Sequence, residues 1–153
     1  MDDPKYSLSF RILHPVMSPK LVSAELGLEP QRAWEAGTPR TSPRGTPLTG
    51  THQSSYWSYK YDNVAGKTLA AAVRDLASNL MPHRTFIRSV SDKGGRSEIF
   101  VGWFGDGNTG EIFDFKILTM LADMKIDLAL DVYHSSMKQG PHQGQSDSCT
   151  SVP

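Results

Sequence analysis

Apolar and polar residues alternate at both ends of this chain, while a helical repeat occupies its middle. Near the start, Tyr6, Leu8, Phe10 and Ile12 fall on one face and Ser7, Ser9 and Arg11 on the other. Near the end, Ile126, Leu128, Leu130 and Val132 alternate with Asp127, Ala129 and Asp131. A period of two with β-forming side chains marks a half-buried strand. Between them, Leu69, Val73, Leu76 and Leu80 recur at helical spacing, and Ala70, Ala71, Ala72 and Ala77 add helix propensity. Two periods in one short chain require sheet and helix to share a core.

The remaining segments fill in this frame. Ser18-Pro19 supplies an N-cap and a first-turn proline for a short helix that presents Leu21, Val22 and Leu26. Gly27 is placed to end it in the left-handed conformation. Residues Gly37 to Ser55 are rich in Pro, Gly, Thr and Ser and read as a long loop, functional or disordered. A strand follows over Tyr56 to Tyr61, with Trp57, Tyr59 and Tyr61 on one face. Pro82 ends or kinks the long helix, and a further turn or two carries Phe86, Ile87 and Val90 up to Gly94-Gly95. The apolar run Ile99 to Phe104 reads as a central strand covered on both faces. Asp114 caps a last helix bearing Ile117, Leu118, Leu121 and Ala122.

The expected fold is α+β: a four-stranded sheet with helices packed on one face, related to a ferredoxin-like sandwich but with an extra helix between the middle strands. With 153 residues, the chain suits one domain over 1–134. Residues 135–153 are Gln-, Gly-, Ser- and Pro-rich and read as a disordered tail.

Composition narrows the function. Lys plus Arg and Asp plus Glu each number 16, so no basic surplus draws the chain to nucleic acid or anionic membrane. The acidic start lacks the apolar stretch of a secretory signal, and no run of roughly 18 apolar residues exists to span a bilayer. The lone Cys149 forms no intrachain disulfide, which points to a reducing, cytoplasmic setting.

No motif carries an enzyme. Gly105-Asp106-Gly107-Asn108-Thr109-Gly110 matches a dinucleotide fingerprint, but the helix begins only at Asp114, and Asp106 and Glu111 would repel a pyrophosphate. Gly66-Lys67-Thr68 lacks the earlier glycine of a phosphate loop, because Tyr61 stands there; a helix start explains it better. The five histidines are scattered without metal-ligand spacing, so neither a metal nor a cofactor is expected. Asp127 and Asp131 on one strand face read as its wet side.

Arginines and large aromatics remain. Arg32-Ala33-Trp34 with Arg40, the ladder of Trp57 and Tyr59, and Trp103 are the candidate binding residues, because a guanidinium forks onto carboxylates and stacks on rings. Against this, Trp34 and Trp57 could simply complete the core's edge.

These residues also carry a resemblance. Ser18-Pro19, then Leu26-Gly27-Leu28-Glu29-Pro30, then Arg32-Ala33-Trp34 with Gly37, then Trp57-Ser58 resemble the bacterial domain-of-unknown-function 4279 family. The Phe104-Gly105 turn and the closing Asp127 to Tyr133 strand fit the same pattern. Thr38 follows Gly37 where the family pattern has Asp. The resemblance spans about Tyr6 to His134. It implies a small bacterial protein with no established activity, cofactor or catalytic residue, and immunity-type toxin neutralisation as one role among relatives. The expected function is therefore a non-enzymatic module that binds another protein. The alternative is a small-molecule binder or enzyme whose aromatic pocket joins Trp34, Trp57 and Trp103, with Arg32 or Arg40 holding an anion. A third possibility is self-association through a strand edge.

Overall fold

A computed structural model describes residues 5–105 and 109–134. The expectations placed on Asp106, Gly107 and Asn108, on Cys149, and on a tail over 135–153 lie outside the described residues. The elements in chain order are β1 (Tyr6–His14), α1 (Pro19–Leu26), β2 (Arg32–Trp34), β3 (Pro39–Thr41), β4 (Pro47–Thr51), β5 (Ser55–Lys60), α2 (Leu69–Leu80), α3 (Arg84–Asp92), β6 (Arg96–Gly105), α4 (Phe115–Asp123) and β7 (Ile126–His134).

The local signals act as their chemistry requires. The Ser18 hydroxyl accepts from the Lys20 amide, and Gly27 takes φ 66° as its N–H donates to the Ser23 carbonyl. The Thr68 hydroxyl accepts from the Ala71 amide, so the Gly66-Lys67-Thr68 stretch is a helix start. Asp114 accepts from the amides of Lys116 and Ile117 to open α4. Pro82 lies in a 3-10 turn, Met81–His83, that joins α2 to α3.

The sheet has five strands in the order β2-β5-β1-β6-β7, not four. β1 is antiparallel to both β5 and β6, while β6 and β7 run parallel through α4. The four strands expected from periodicity thus lie as β5-β1-β6-β7. The last strand-helix-strand unit is adjacent, rather than split as in a ferredoxin-like sandwich. The fifth strand, β2, is three residues long, too short for any period to register. The supposed loop over 37–55 holds the hairpin β3–β4, a separate two-stranded sheet. Its turn is closed by the Ser42 hydroxyl, which accepts from the amides of Arg44 and Thr46. Both of its strands are exposed and polar, so alternation could not reveal them.

One face of the main sheet carries the core. Tyr6, Leu8, Phe10 and Ile12 of β1, Trp57 of β5 and Ile99 and Val101 of β6 pack against Val22 and Leu26 of α1, Leu76 and Leu80 of α2, Ile87 and Val90 of α3, and Ile117 and Leu121 of α4. Two expected face residues, Leu21 and Leu118, are instead about half exposed, because each helix presents only a narrow stripe. Helices therefore cover the sheet on one side, as expected. β6 departs from the expectation of cover on both faces: Phe104 is 47% exposed on the far side. Among the described residues, no helix is long and apolar enough to cross a membrane.

His14 ends β1 inside the core, 5% exposed. Its Nδ1 accepts from the amides of Val16 and Met17 at 3.0 and 2.9 Å, so the proton sits on Nε2 and the ring is neutral. Burial holds its pKa below the ordinary histidine value. The unfolded chain therefore binds the proton more readily. His14's contribution to stability is whole above about pH 6.5 and declines as the pH falls through that value towards the folded-state pKa. Asn at this position offers Oδ1 to the same amides without titrating. The melting temperature should fall less between neutral and mildly acidic pH in His14→Asn than in the parent; parallel curves would clear His14 of the effect.

Candidate binding surface

Among the described residues, none of the four helices packs on the sheet's other face. Its residues follow from the parity of each strand. In β1 they are Ser7, Ser9, Arg11 and Leu13, all partly exposed. Register aligns them into rows across the strands. One row runs Trp34, Tyr56, Leu13, Arg96, and the next runs Arg32, Ser58, Arg11, Glu98, Asp127. Further along lie Lys60, Ser9, Phe100 and Ala129, then Ser7, Gly102 and Asp131.

Charge is unevenly spread over this face. Arg32 and Lys60 stand on the β2–β5 side, and Asp127 and Asp131 on β7. Between them the Arg11 guanidinium lies 3.6 Å above the Phe100 ring, and Arg96 pairs with Glu98 at 3.6 Å. Tyr133 donates to the Asp131 carboxylate at 2.6 Å, a bond that raises the phenol's pKa above its ordinary value. The ring of Tyr133 stacks on Phe104 with centroids 5.0 Å apart.

One corner of the face concentrates aromatic surface. The Trp34 indole is sandwiched between His52 and Tyr56, each with its centroid at 4.5 Å and tilted by 11° and 19°. The Arg32 guanidinium carbon lies 4.9 Å from the indole. Backbone bonds fix the stack. The Gly37 amide donates to the His52 carbonyl at 2.8 Å, and the His52 amide to the Thr38 carbonyl at 2.9 Å. The Ala36 amide donates to the Ser55 hydroxyl at 3.0 Å. The root of the β3–β4 hairpin is thereby clamped to the sheet's edge, with the hairpin projecting beyond.

The expected site residues thus fall in four places. Arg32 and Trp34 come together in the corner stack. Arg40 lies on the hairpin, where its Nη1 donates to the Thr49 carbonyl at 3.2 Å. Trp57 and Tyr59 belong to the opposite face. Trp57 is 1% exposed, edge-on to Phe10 at 6.3 Å, and its Nε1 donates to the Ser23 hydroxyl at 2.9 Å. Tyr59 stacks beside it with centroids 6.4 Å apart. Trp57 is a core residue and Tyr59 is partly buried against the core, because odd positions of β5 point under the helices. Trp103 is also on the helix side, at the far end of β6, where it lines a cleft of about 320 Å³ with Leu69, Glu111, Phe113, Val132 and His134. Among the described residues no single pocket joins the three tryptophans, because Trp34 lies on the face opposite Trp57 and Trp103.

Two members of the stack, His52 and Tyr56, escaped sequence reasoning. Tyr56 was within reach: alternation about buried Trp57 turns it to the other face. His52 was not, since only the hairpin's fold returns it to Trp34.

A family model, Domain of unknown function (DUF4279), matches residues 4–135. No curated protein and no solved structure matches the chain.

Proposed function

The chain belongs to the DUF4279 family, and from that starting point we propose that it is a protein-binding domain whose contact site is the corner built from Trp34, His52, Tyr56 and Arg32. The observation that carries this reading is the triple aromatic stack held rigid on an uncovered sheet face. Rings already locked in place lose little conformational freedom on binding, and Trp, Tyr and Arg dominate the energetics of protein interfaces. Arg32 is exposed beside the indole. Its fork suits a carboxylate flanked by an apolar side chain on the partner. Neutralisation of a toxin, as an immunity protein performs, is one form such binding would take.

The test is affinity capture from the native host with the parent, with Arg32→Ala/Trp34→Ala, and with Leu118→Ala, which alters the helix side. A partner whose affinity falls about 30-fold or more in the double variant, the size of a lost hot spot, and is unchanged in Leu118→Ala supports the site. Capture that is lost equally in both, or no specific partner at all, overturns it.

A further inference from the structure

The apolar side chains of β7 point to the helix side of the sheet, yet they are covered unevenly. Ile126 is 5% exposed, whereas Leu130 and Val132 are 56% and 54% exposed. Length explains the difference. α4 and β7 have nine residues each, but a helix rises about 1.5 Å per residue and a strand about 3.3 Å. α4 ends beside the start of β7, so it reaches back only about as far as the fourth strand residue. Leu130 and Val132 lie past it.

Those two residues line the cleft of about 320 Å³ with Trp103, Phe113 and Glu111. That volume falls at the lower end of small-ligand pockets, about 300–1,000 Å³. Its aromatic wall is fixed in place. Trp103 Nε1 donates to the Thr109 hydroxyl at 3.2 Å, and Gly105 leaves the indole room, since a Cβ there would lie 2.6 Å from Nε1. Glu111 supplies the charge. Its carboxylate oxygens accept from the amides of Ala70 and Ile112 at 3.3 and 3.2 Å. Among the described residues it enters no ion pair. Nor does any Lys or Arg line the cleft among them; exposed His134 is the one basic side chain there.

We propose that this cleft binds a small organic cation: an ammonium group carried on a flat apolar body. Glu111 attracts the positive charge, and the electron-rich face of the Trp103 indole adds to that attraction. Phe113, Leu130 and Val132 take the apolar body out of water. An anion would face the Glu111 carboxylate, which already occupies an amide of the first turn of α2, the place where an anion would otherwise be favoured. A neutral apolar ligand would desolvate that carboxylate without giving it a partner. The cleft lies on the face of the sheet opposite Trp34, so the inference goes beyond the partner-binding reading and stands without it.

The test follows the indole N–H signals of the three tryptophans by NMR of the full chain. The probes are phenethylamine, phenethyl alcohol and hydrocinnamate at neutral pH, which share one ring and differ in charge. Phenethylamine should shift the Trp103 signal with a millimolar dissociation constant, the strength of a fragment this small, and leave Trp34 and Trp57 in place. Hydrocinnamate should bind about tenfold more weakly, with the alcohol between them. Glu111→Gln keeps an acceptor for the Ala70 amide and removes the charge, so phenethylamine should then bind no better than the alcohol. Val132→Lys changes an exposed position and leaves the core alone. It should abolish binding of the amine and admit hydrocinnamate, and it answers the question if Glu111→Gln loosens α2. No shift of Trp103, equal affinity for amine and carboxylate, or an equal shift of Trp34 overturns the proposal. So does a Glu111→Gln variant that melts earlier while the amine keeps its advantage over the alcohol, because Glu111 would then serve only to cap α2.

Discussion

Trp57→Ala should cost about 4 kcal/mol of folding stability, within the range measured for deleting a buried aromatic ring. Trp57 is 1% exposed and packs edge-on against Phe10 at 6.3 Å. Its removal opens a cavity between β5 and α1 that the crossing backbones prevent from collapsing. It also strips the Ser23 hydroxyl of its indole donor, now at 2.9 Å. Domains of this size are stable by only about 5–15 kcal/mol, so the variant would lose a large share of its margin. Trp34→Ala, by contrast, should cost only about 1–2 kcal/mol, the worth of its stacked pairs on a partly exposed face. Urea titrations of both variants, compared at unchanged slope, measure the difference. Equal midpoints for the two would contradict the placement of Trp57 in the core and Trp34 on the surface.

Gly95→Ala should destabilise the fold by about 3 kcal/mol, at the upper end of overpacking costs. A Cβ on Gly95 would lie 2.7 Å from the Leu13 carbonyl oxygen, 2.7 Å from His14 Cδ2 and 2.9 Å from Val90 Cγ1. The oxygen belongs to the central strand and cannot swing aside as a side chain would. Gly94 is glycine for a different reason. It takes φ +93° with only Pro15 Cγ at 4.0 Å, so its substitution strains the backbone without a collision. Gly94→Ala should therefore cost only about 1–2 kcal/mol. Thermal or urea unfolding of the two variants checks the order, and a reversed order would refute the steric assignment. The Gly94-Gly95 pair was legible in the chain as a helix stop. That one glycine serves conformation and the other close approach became visible only when β1 lay beside the turn.

The corner stack divides in the same way. Arg32 and Trp34 stood out as residue types that binding surfaces favour, and the structure keeps them together. Trp57 and Tyr59 stood out for the same reason, yet Trp57 is buried in the core and Tyr59 packs partly buried beside it, because residue type says nothing about which face of a strand looks towards the helices. Strand β2 is three residues long and the strands of the hairpin are polar, so neither leaves a period to read. They are strands because neighbours supply their hydrogen-bond partners.

Local chemistry, written in adjacent residues, was enough to place the helix caps at Ser18 and Asp114, a helix start at Gly66-Lys67-Thr68, the long strands β1 and β7, and the α+β class. Those features depend on backbone satisfaction and on burial of one face, and both act over a few residues. The fifth strand, the β5-β1-β6-β7 adjacency, the return of His52 to Trp34 and the division of charge across the open face depend on contacts between residues far apart in the chain. Such contacts form only when the whole core closes, since the apolar face shared by β1, β5 and β6 is buried jointly or not at all.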